Sequence, residues 1–201
     1  MSIKHPIISV TGSSGAGTST VKHTFQQIFR RESVKAVTLE GDAFHRYNRK
    51  EMKKELEKRH AAGDATFSHF SFDANLLPEL EDCFRNYSEQ GTCRYRHYIH
   101  NSNEENLYGA KPGNFTKWKK FEEPSDLLFY EGLHGAVVNE EINLAKYADL
   151  KIGVVPVINL EWIQKIHRDT DSRGYSTEAV TDTILRRMHA YVHCICPKFT
   201  E

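Results

Sequence analysis

Charge of one sign is not in excess: the chain has 27 Lys+Arg and 27 Asp+Glu, a formal net charge of zero with histidine neutral. That balance argues against nucleic acid or an anionic membrane as the principal partner, although local patches can still bind phosphate. No apolar run approaches the ~20 residues that a membrane span requires. The opening MSIKHPIISV passes straight into an apolar strand pattern. It leaves no room for a signal peptide, so the expected setting is cytoplasmic. Cysteine is scarce, and Cys83, Cys93, Cys194 and Cys196 lack paired metal-ligand spacing, so reduced thiols are expected. Cys194 and Cys196 read as two buried thiols on one helix rather than metal ligands. Repeats, low-complexity tracts and linkers are absent too. The 201 residues are read as a single domain spanning 1–201, long enough to bury a core.

What is present is alternation of strand and helix. Ile7 to Val10 is a short apolar run ended by Gly12, a buried strand. Val21 to Arg31 has apolar residues at helical spacing, with Ser19 and Thr20 at its start. Val34 to Leu39 alternates as a second strand and ends at Glu40-Gly41-Asp42. Arg49 to Ala62 is a charged, mostly solvated helix, and Leu76 to Tyr87 another helix. Cys93 to His100 (CRYRHYIH) alternates as a half-exposed strand. Leu127 to Glu131 is a buried strand ending in a carboxylate, and Leu150 to Ile158 a further strand. Leu160 to Arg168 and Thr177 to Cys194 are helices flanking a polar loop, Asp169 to Ser176. Such alternation predicts an α/β fold with a mostly parallel central sheet covered on both faces. Ligands then sit at the carboxyl ends of the strands.

The stretch PIISVTGSSGAGTST lacks one residue that its pattern calls for. Gly12, Ser13, Ser14, Gly15, Ala16 and Gly17 have the G-x-x-x-x-G spacing of a phosphate-cradling loop, but Thr18 stands where a lysine belongs. Ser19 occupies the place of a magnesium-binding hydroxyl, and Thr20 follows it into the helix. Glycines let backbone N–H groups approach phosphate oxygens, and the helix start adds its positive end. Glu131, after four apolar residues, is positioned to hold the magnesium's water shell. In EGDAFHRYNR, Asp42 follows a strand and is suited to accept a proton from an acceptor hydroxyl. His45 and Arg49 would share a face there if the stretch were helical, and a cation pair suits an anionic substrate such as a sugar phosphate.

The second half offers the charge that Thr18 lacks. In NLEWIQKIHRDTDSRGYS, Glu161, Lys165, Arg168 and Asp169 form one helical stripe, and Arg173 precedes a hinge glycine, Gly174. A basic stripe leading into a mobile loop is what a phosphotransferase lid needs. Arg186 and Arg187 are further lid cations or surface residues.

Together, GSSGAGTSTVKHTF, EGDAFHRYNR, LLFYEGLHGAVV and VVPVINLEWIQKIHRD resemble phosphoribulokinases of the bacterial type over essentially all 201 residues. The threonine in place of the loop lysine is itself a feature of that type. The resemblance implies a P-loop kinase-like three-layer fold with a helical lid. It also implies ATP-dependent phosphorylation of the 1-hydroxyl of D-ribulose 5-phosphate, a Calvin-cycle reaction. By its motifs, Asp42 is similar to the family's general base, Ser19 with Glu131 to its magnesium site, and Gly12 to Thr20 to its nucleotide loop. His45, Arg49, Arg168 and Arg173 are similar to its sugar-phosphate binders, Lys165 to its phosphoryl-stabilising cation, and Asp169 to a second catalytic carboxylate. Mg²⁺ with ATP, a homo-oligomer and NADH as an activator are implied as well, with Arg31 the effector contact. The redox-regulated plant type has a cysteine in its phosphate loop; this chain has none, so thiol control is not expected.

Members of that family continue beyond position 201 with further strands and a C-terminal helix, whereas this chain stops at CICPKFTE. Part of the sheet and of the oligomer and effector contacts is therefore expected to lie outside it. Uridine and pantothenate kinases share the architecture but usually keep the loop lysine, and the EGDAFHRYNR and NLEWIQKIHRD blocks are not theirs. A GTPase would carry an N-K-x-D signature, which is absent. A truncated, non-catalytic nucleotide-binding module is the reading from a different functional class.

Overall fold

The computed structural model describes residues 5–64, 66–121 and 124–195; the side chains of residues 172, 173, 190, 194 and 195 lie outside that description. Four parallel strands form the central sheet: β1 (Ile7–Gly12), β2 (Ala36–Glu40), β5 (Leu127–Gly132) and β6 (Leu150–Val154), in the order β2-β5-β1-β6. Two-residue strands β3 (Arg94–Tyr95) and β4 (Lys119–Lys120) form a separate antiparallel pair. The helices are α1 (Thr18–Arg31), α2 (Arg49–Ala61), α3 (Leu77–Gln90), α4 (Ser102–Tyr108), α5 (Ile158–Arg173) and α6 (Thr177–Ala190).

Apolar strands need cover on both faces, and the two central ones receive it. On one face, Phe25 and Phe29 of α1 pack on Phe129 of β5 with ring centroids 5.2 and 5.6 Å apart. On the other, Phe84 of α3 meets Tyr130 edge-on at 5.4 Å, within a cluster that includes Ile7, Leu39, Leu80 and Leu128. Alternate residues of one strand thus serve two cores, and truncating Phe129 or Phe84 to alanine would cost about 3–5 kcal/mol. Register then aligns the strand ends: Val10 lies opposite Glu131, and Glu40 opposite the same residue from the other side. The functional loops leave from this common edge.

Several elements differ from the sequence expectation, each for a local reason. CRYRHYIH pairs as a strand only at Arg94–Tyr95, with an isolated bridge from Tyr98 to Phe115. Arg96 turns inward instead, donating to Ala43 O at 2.8 Å and His45 O at 2.7 Å while its guanidinium lies 3.6 Å from the Phe115 ring centroid. The expected strand to Ile158 ends at Val154, because Pro156 has no N–H for a ladder. Among the described residues it is an edge strand with Leu150 exposed, not a buried one. The polar loop expected from Asp169 to Ser176 is largely helix: α5 runs on to Arg173 and stops at Gly174, whose φ of +70° suits glycine alone. Arg173 therefore closes a helix rather than lying in a loop, and its side chain is outside the described residues.

The thiols also differ from expectation. Cys83 of α3 and Cys93 are both buried and joined by a disulfide, where reduced thiols were expected. Gly91, at φ +72°, reverses the chain at the end of α3 and brings Cys93 back over it. Cys194 lies in a single π-helical turn after α6, not on that helix, and its side chain, like all of Cys196, is outside the described residues. Among the described residues no helix is long and apolar enough to cross a membrane.

Candidate active site

The loop from Gly12 to Gly17 links β1 to α1 at the strand-end edge of the sheet. Gly15 and Gly17 have φ near +107° and +102°, a region that other residues avoid. A Cβ on Gly15 would lie 3.0 Å from Cβ of Lys165 and 3.2 Å from the Glu161 carbonyl. Helix α5 therefore rests directly on the loop. Ser13 and Ala16 are buried, whereas Ser19 and Thr20 are exposed on the first turn of α1.

Thr18 has a definite partner. Its hydroxyl donates to Glu131 Oε1 at 2.5 Å, so the residue in the lysine position binds the carboxylate at the end of β5. Lys22, one turn further along α1, places Nζ 2.8 Å from Glu40 Oε1 and 3.9 Å from Glu131 Oε2. Burial raises the Glu131 carboxyl above its usual range, and the Thr18 bond and Lys22 charge only partly offset it. Lys22 is raised as well: burial opposes its charge, but the bond to Glu40 and the surrounding carboxylates outweigh it.

Asp42 is the second residue of a 3-10 turn, Gly41–Phe44, where β2 ends. His45 Nε2 lies 3.2 Å from its Oδ1, and His100 Nε2 lies 3.4 Å from its Oδ2. Burial works against the charge on Asp42, but these imidazoles prevail and hold its carboxyl far below the usual range. Some 43% of its side chain stays open to solvent, which leaves room for an acceptor hydroxyl. His45 and Arg49 do not share a helical face, because His45 is extended (φ −61°, ψ 140°) and α2 starts only at Arg49. A capping box sets that start: Asn48 accepts from Lys50 N and Glu51 N, and Glu51 accepts from Asn48 N at 2.9 Å. Arg49 is brought to the same corner by tertiary contact, donating to His100 O at 3.1 Å.

On α5 the expected stripe is realised. Glu161, Lys165 and Asp169 are buried toward the loop. Lys165 Nζ donates to Asp169 Oδ2 at 2.9 Å, and Arg168 Nε donates to Asp169 Oδ1 at 2.9 Å. Burial pushes the Lys165 ammonium below its ordinary value, with the Asp169 bond opposing that shift. Asp169 is lowered, since bonds from Arg168 and Lys165 overcome its burial. Arg168 Nη2 also donates to Ser14 Oγ at 3.2 Å, so this residue touches the glycine loop itself. Arg31 is exposed at the end of α1 and pairs with Glu32.

Other members of the site carried no motif. His100 joins Asp42 from a separate segment, Lys22 and Glu40 flank Glu131, and Arg187 of α6 donates to His69 Nδ1 at 3.2 Å. Of these, Lys22 had a local signal, its place one helical turn after Thr18, and Arg187 was already named with Arg186 as a lid cation or surface residue. The arrangement combines a phosphate cradle, an ionised carboxylate open to a hydroxyl and cations from a helix lying over the cradle. Those are the parts of a phosphoryl transfer site.

Comparison with known proteins agrees with that chemistry. The model of the phosphoribulokinase / uridine kinase family matches residues 7–201. The chain is 72% identical over 201 residues to phosphoribulokinase 1 of Cereibacter sphaeroides, spanning all of this chain and 69% of that protein. It is 64% identical over 198 residues to the phosphoribulokinase of Nitrobacter vulgaris, covering 98% of this chain and 68% of that one. A solved structure of phosphoribulokinase from Rhodobacter spheroides superposes with a TM-score of 0.83 at 70% identity, covering 98% of this chain and 67% of the other. D-glycerate 3-kinase of Cryptococcus neoformans, at 13% identity and a TM-score of 0.57 over 94% of this chain and 78% of the other, shares the fold alone. On a family match that spans the strand-end loop, both carboxylates and the lid helix, the chain belongs to the phosphoribulokinase / uridine kinase family.

Proposed function

We propose that the protein transfers the γ-phosphoryl group of ATP to the 1-hydroxyl of D-ribulose 5-phosphate, giving ribulose 1,5-bisphosphate. The observation that carries this reading is Asp42, an ionised, part-open carboxylate flanked by two imidazoles on the strand-end edge that also bears the glycine loop. The loop's N–H groups hold the ATP phosphates, and Asp42 accepts the proton of the attacking hydroxyl. His45 and Arg49 stand beside Asp42 as cations for the sugar phosphate, and Arg173 is assigned to the same task from its sequence. Arg168, bonded to Ser14, acts between sugar phosphate and loop. Lys165 neutralises charge on the transferring group, with Asp169 holding its ammonium in place.

Glu131 and the hydroxyls of Thr18 and Ser19 are hard oxygen donors of the kind that suits Mg²⁺, and the Thr18 contact on Glu131 shows the two side chains already together. Bound there, the ion would supply positive charge against the ATP phosphates. A cytoplasmic setting fits these substrates. Homo-oligomers, and NADH acting through exposed Arg31, belong to the same reading. The test is ATP consumption with ribulose 5-phosphate, uridine and pantothenate offered side by side. Turnover confined to the first is expected; turnover with uridine alone would overturn the assignment.

A further inference from the structure

Asn75 is 2% exposed and lies across from His45 in an antiparallel backbone bridge. Its Nδ2 donates to His69 O at 3.0 Å and to Ser71 O at 2.8 Å. Carbonyls only accept, so the amide cannot be turned round, and its Oδ1 is the atom that faces His45 Nδ1 at 2.8 Å. The opposite ring nitrogen of His45, Nε2, lies 3.2 Å from Asp42 Oδ1. His45 is therefore held between two acceptors. A neutral imidazole has one N–H and one lone pair, so either tautomer would aim a lone pair at an oxygen. Protonated on both nitrogens, the ring satisfies both.

We infer that Asn75 is a positioning residue that keeps His45 an imidazolium, so that the acceptor corner stays cationic toward an anionic substrate as pH rises. The substrate part rests on the proposed function above; the protonation state does not. The groups around His45 are accounted for on every side. His69, ring centroid 5.8 Å away, accepts from Arg187 and is driven down to about 3 by burial and by that guanidinium, so it contributes no charge. Arg187 itself opposes a charge on His45. Tyr98 meets the ring edge-on at 6.2 Å, Arg96 bonds the His45 carbonyl, and His100 occupies the other oxygen of Asp42. Tyr130 and His134 line the same cleft. Burial and Arg187 push the His45 imidazole down, and Asp42 with Asn75 raises it above its ordinary value.

The experiment is long-range ¹H–¹⁵N spectroscopy of ¹⁵N-histidine-labelled protein, with His45→Gln used for assignment. Across a titration from about pH 6 to about pH 8.5, the wild-type His45 ring should lose its second proton at a higher pH than the ring of Asn75→Leu, which keeps the Asp42 contact but has lost one acceptor. Over the same span KM for ribulose 5-phosphate should rise about tenfold in Asn75→Leu and little in the wild type, with kcat changing less. Should Asn75→Leu not fold, Asn75→Val, smaller and likewise without an acceptor for His45 Nδ1, carries the same expectation. A wild-type His45 ring that titrates no higher than a free imidazole overturns the inference. So does a His45 that stays charged in both variants throughout. A ring that titrates in the variant while KM stays flat supports the role of Asn75 and counts against the sugar-phosphate reading instead.

Discussion

Two carboxylates stand at neighbouring strand ends and have opposite fates. Glu131, at the end of β5, is pushed up by burial, with one hydroxyl at 2.5 Å and an ammonium 3.9 Å away to oppose it. Asp42, after β2, has imidazoles at 3.2 and 3.4 Å and is driven down. The difference lies in the partners, since both groups leave the same edge of one sheet. A buried carboxylate short of positive charge is a place that welcomes a divalent cation. A carboxylate already paired with histidine is ionised before any substrate arrives and has no need of one. On the proposed function, charge balance is what separates the nucleotide side from the acceptor side within one crevice.

Removing Lys165, the cation proposed to serve the transferring group, tests the comparison hardest. Lys165→Met should lower kcat by roughly 10³-fold or more with substrate affinities little changed, read from steady-state kinetics on protein shown to be folded. A near-normal kcat would leave the charge missing at Thr18 without a source. Asp42→Asn should lower kcat by about 10²–10⁴-fold, the range for losing a general base, and the loss should not be relieved by raising Mg²⁺. Glu131→Gln should behave differently: its defect, about 10²-fold, should appear as a raised Mg²⁺ requirement with apparent affinity for ribulose 5-phosphate retained. If the two variants responded alike to Mg²⁺, the division of labour between the carboxylates would fail.

Smaller effects sharpen the acceptor side. Arg49→Gln should raise KM for ribulose 5-phosphate about tenfold, the loss of a charge-assisted contact, while KM for ATP hardly moves. An ATP-specific defect would reassign Arg49 to the nucleotide. The smallest effect is on stability against pH. His45 is raised in the folded state, so its contribution is complete below about pH 6.5 and is lost as pH climbs through the higher folded value. Asp42 is lowered, so its contribution is present above about pH 4 and is lost as pH falls through the lower folded value. Thermal melts across this range should show an alkaline decline that His45→Gln abolishes.

Much of this was legible in the chain itself because the signals are local. Ile7 to Val10 before a glycine loop, and Leu127 to Tyr130 before Glu131, announce strands and their functional ends within a dozen residues. The α5 stripe was equally plain, since i, i+4 spacing puts Glu161, Lys165 and Asp169 on one face. Other expectations failed where a distant group intervened. CRYRHYIH has the alternation of a strand, but Arg96 turns inward to bond the carbonyls of Ala43 and His45 beside Asp42. His45 and Arg49 were expected to share a helical face and are instead linked through Asp42, which His45 and His100 both approach, and through the His100 carbonyl that Arg49 bonds.

The sequence by itself determined which strand ends carry the phosphate loop, the two carboxylates and the lid helix, because hydrophobic period and turn chemistry act over a few residues. Only the tertiary structure decided the charge each group holds. Thr18 and Lys22 reach Glu131, His100 reaches Asp42, and Asn75 reaches His45 across gaps that no spacing rule spans. Protonation follows from burial and from charges a few ångströms away in space, and those neighbours exist only once the sheet has aligned its strand ends.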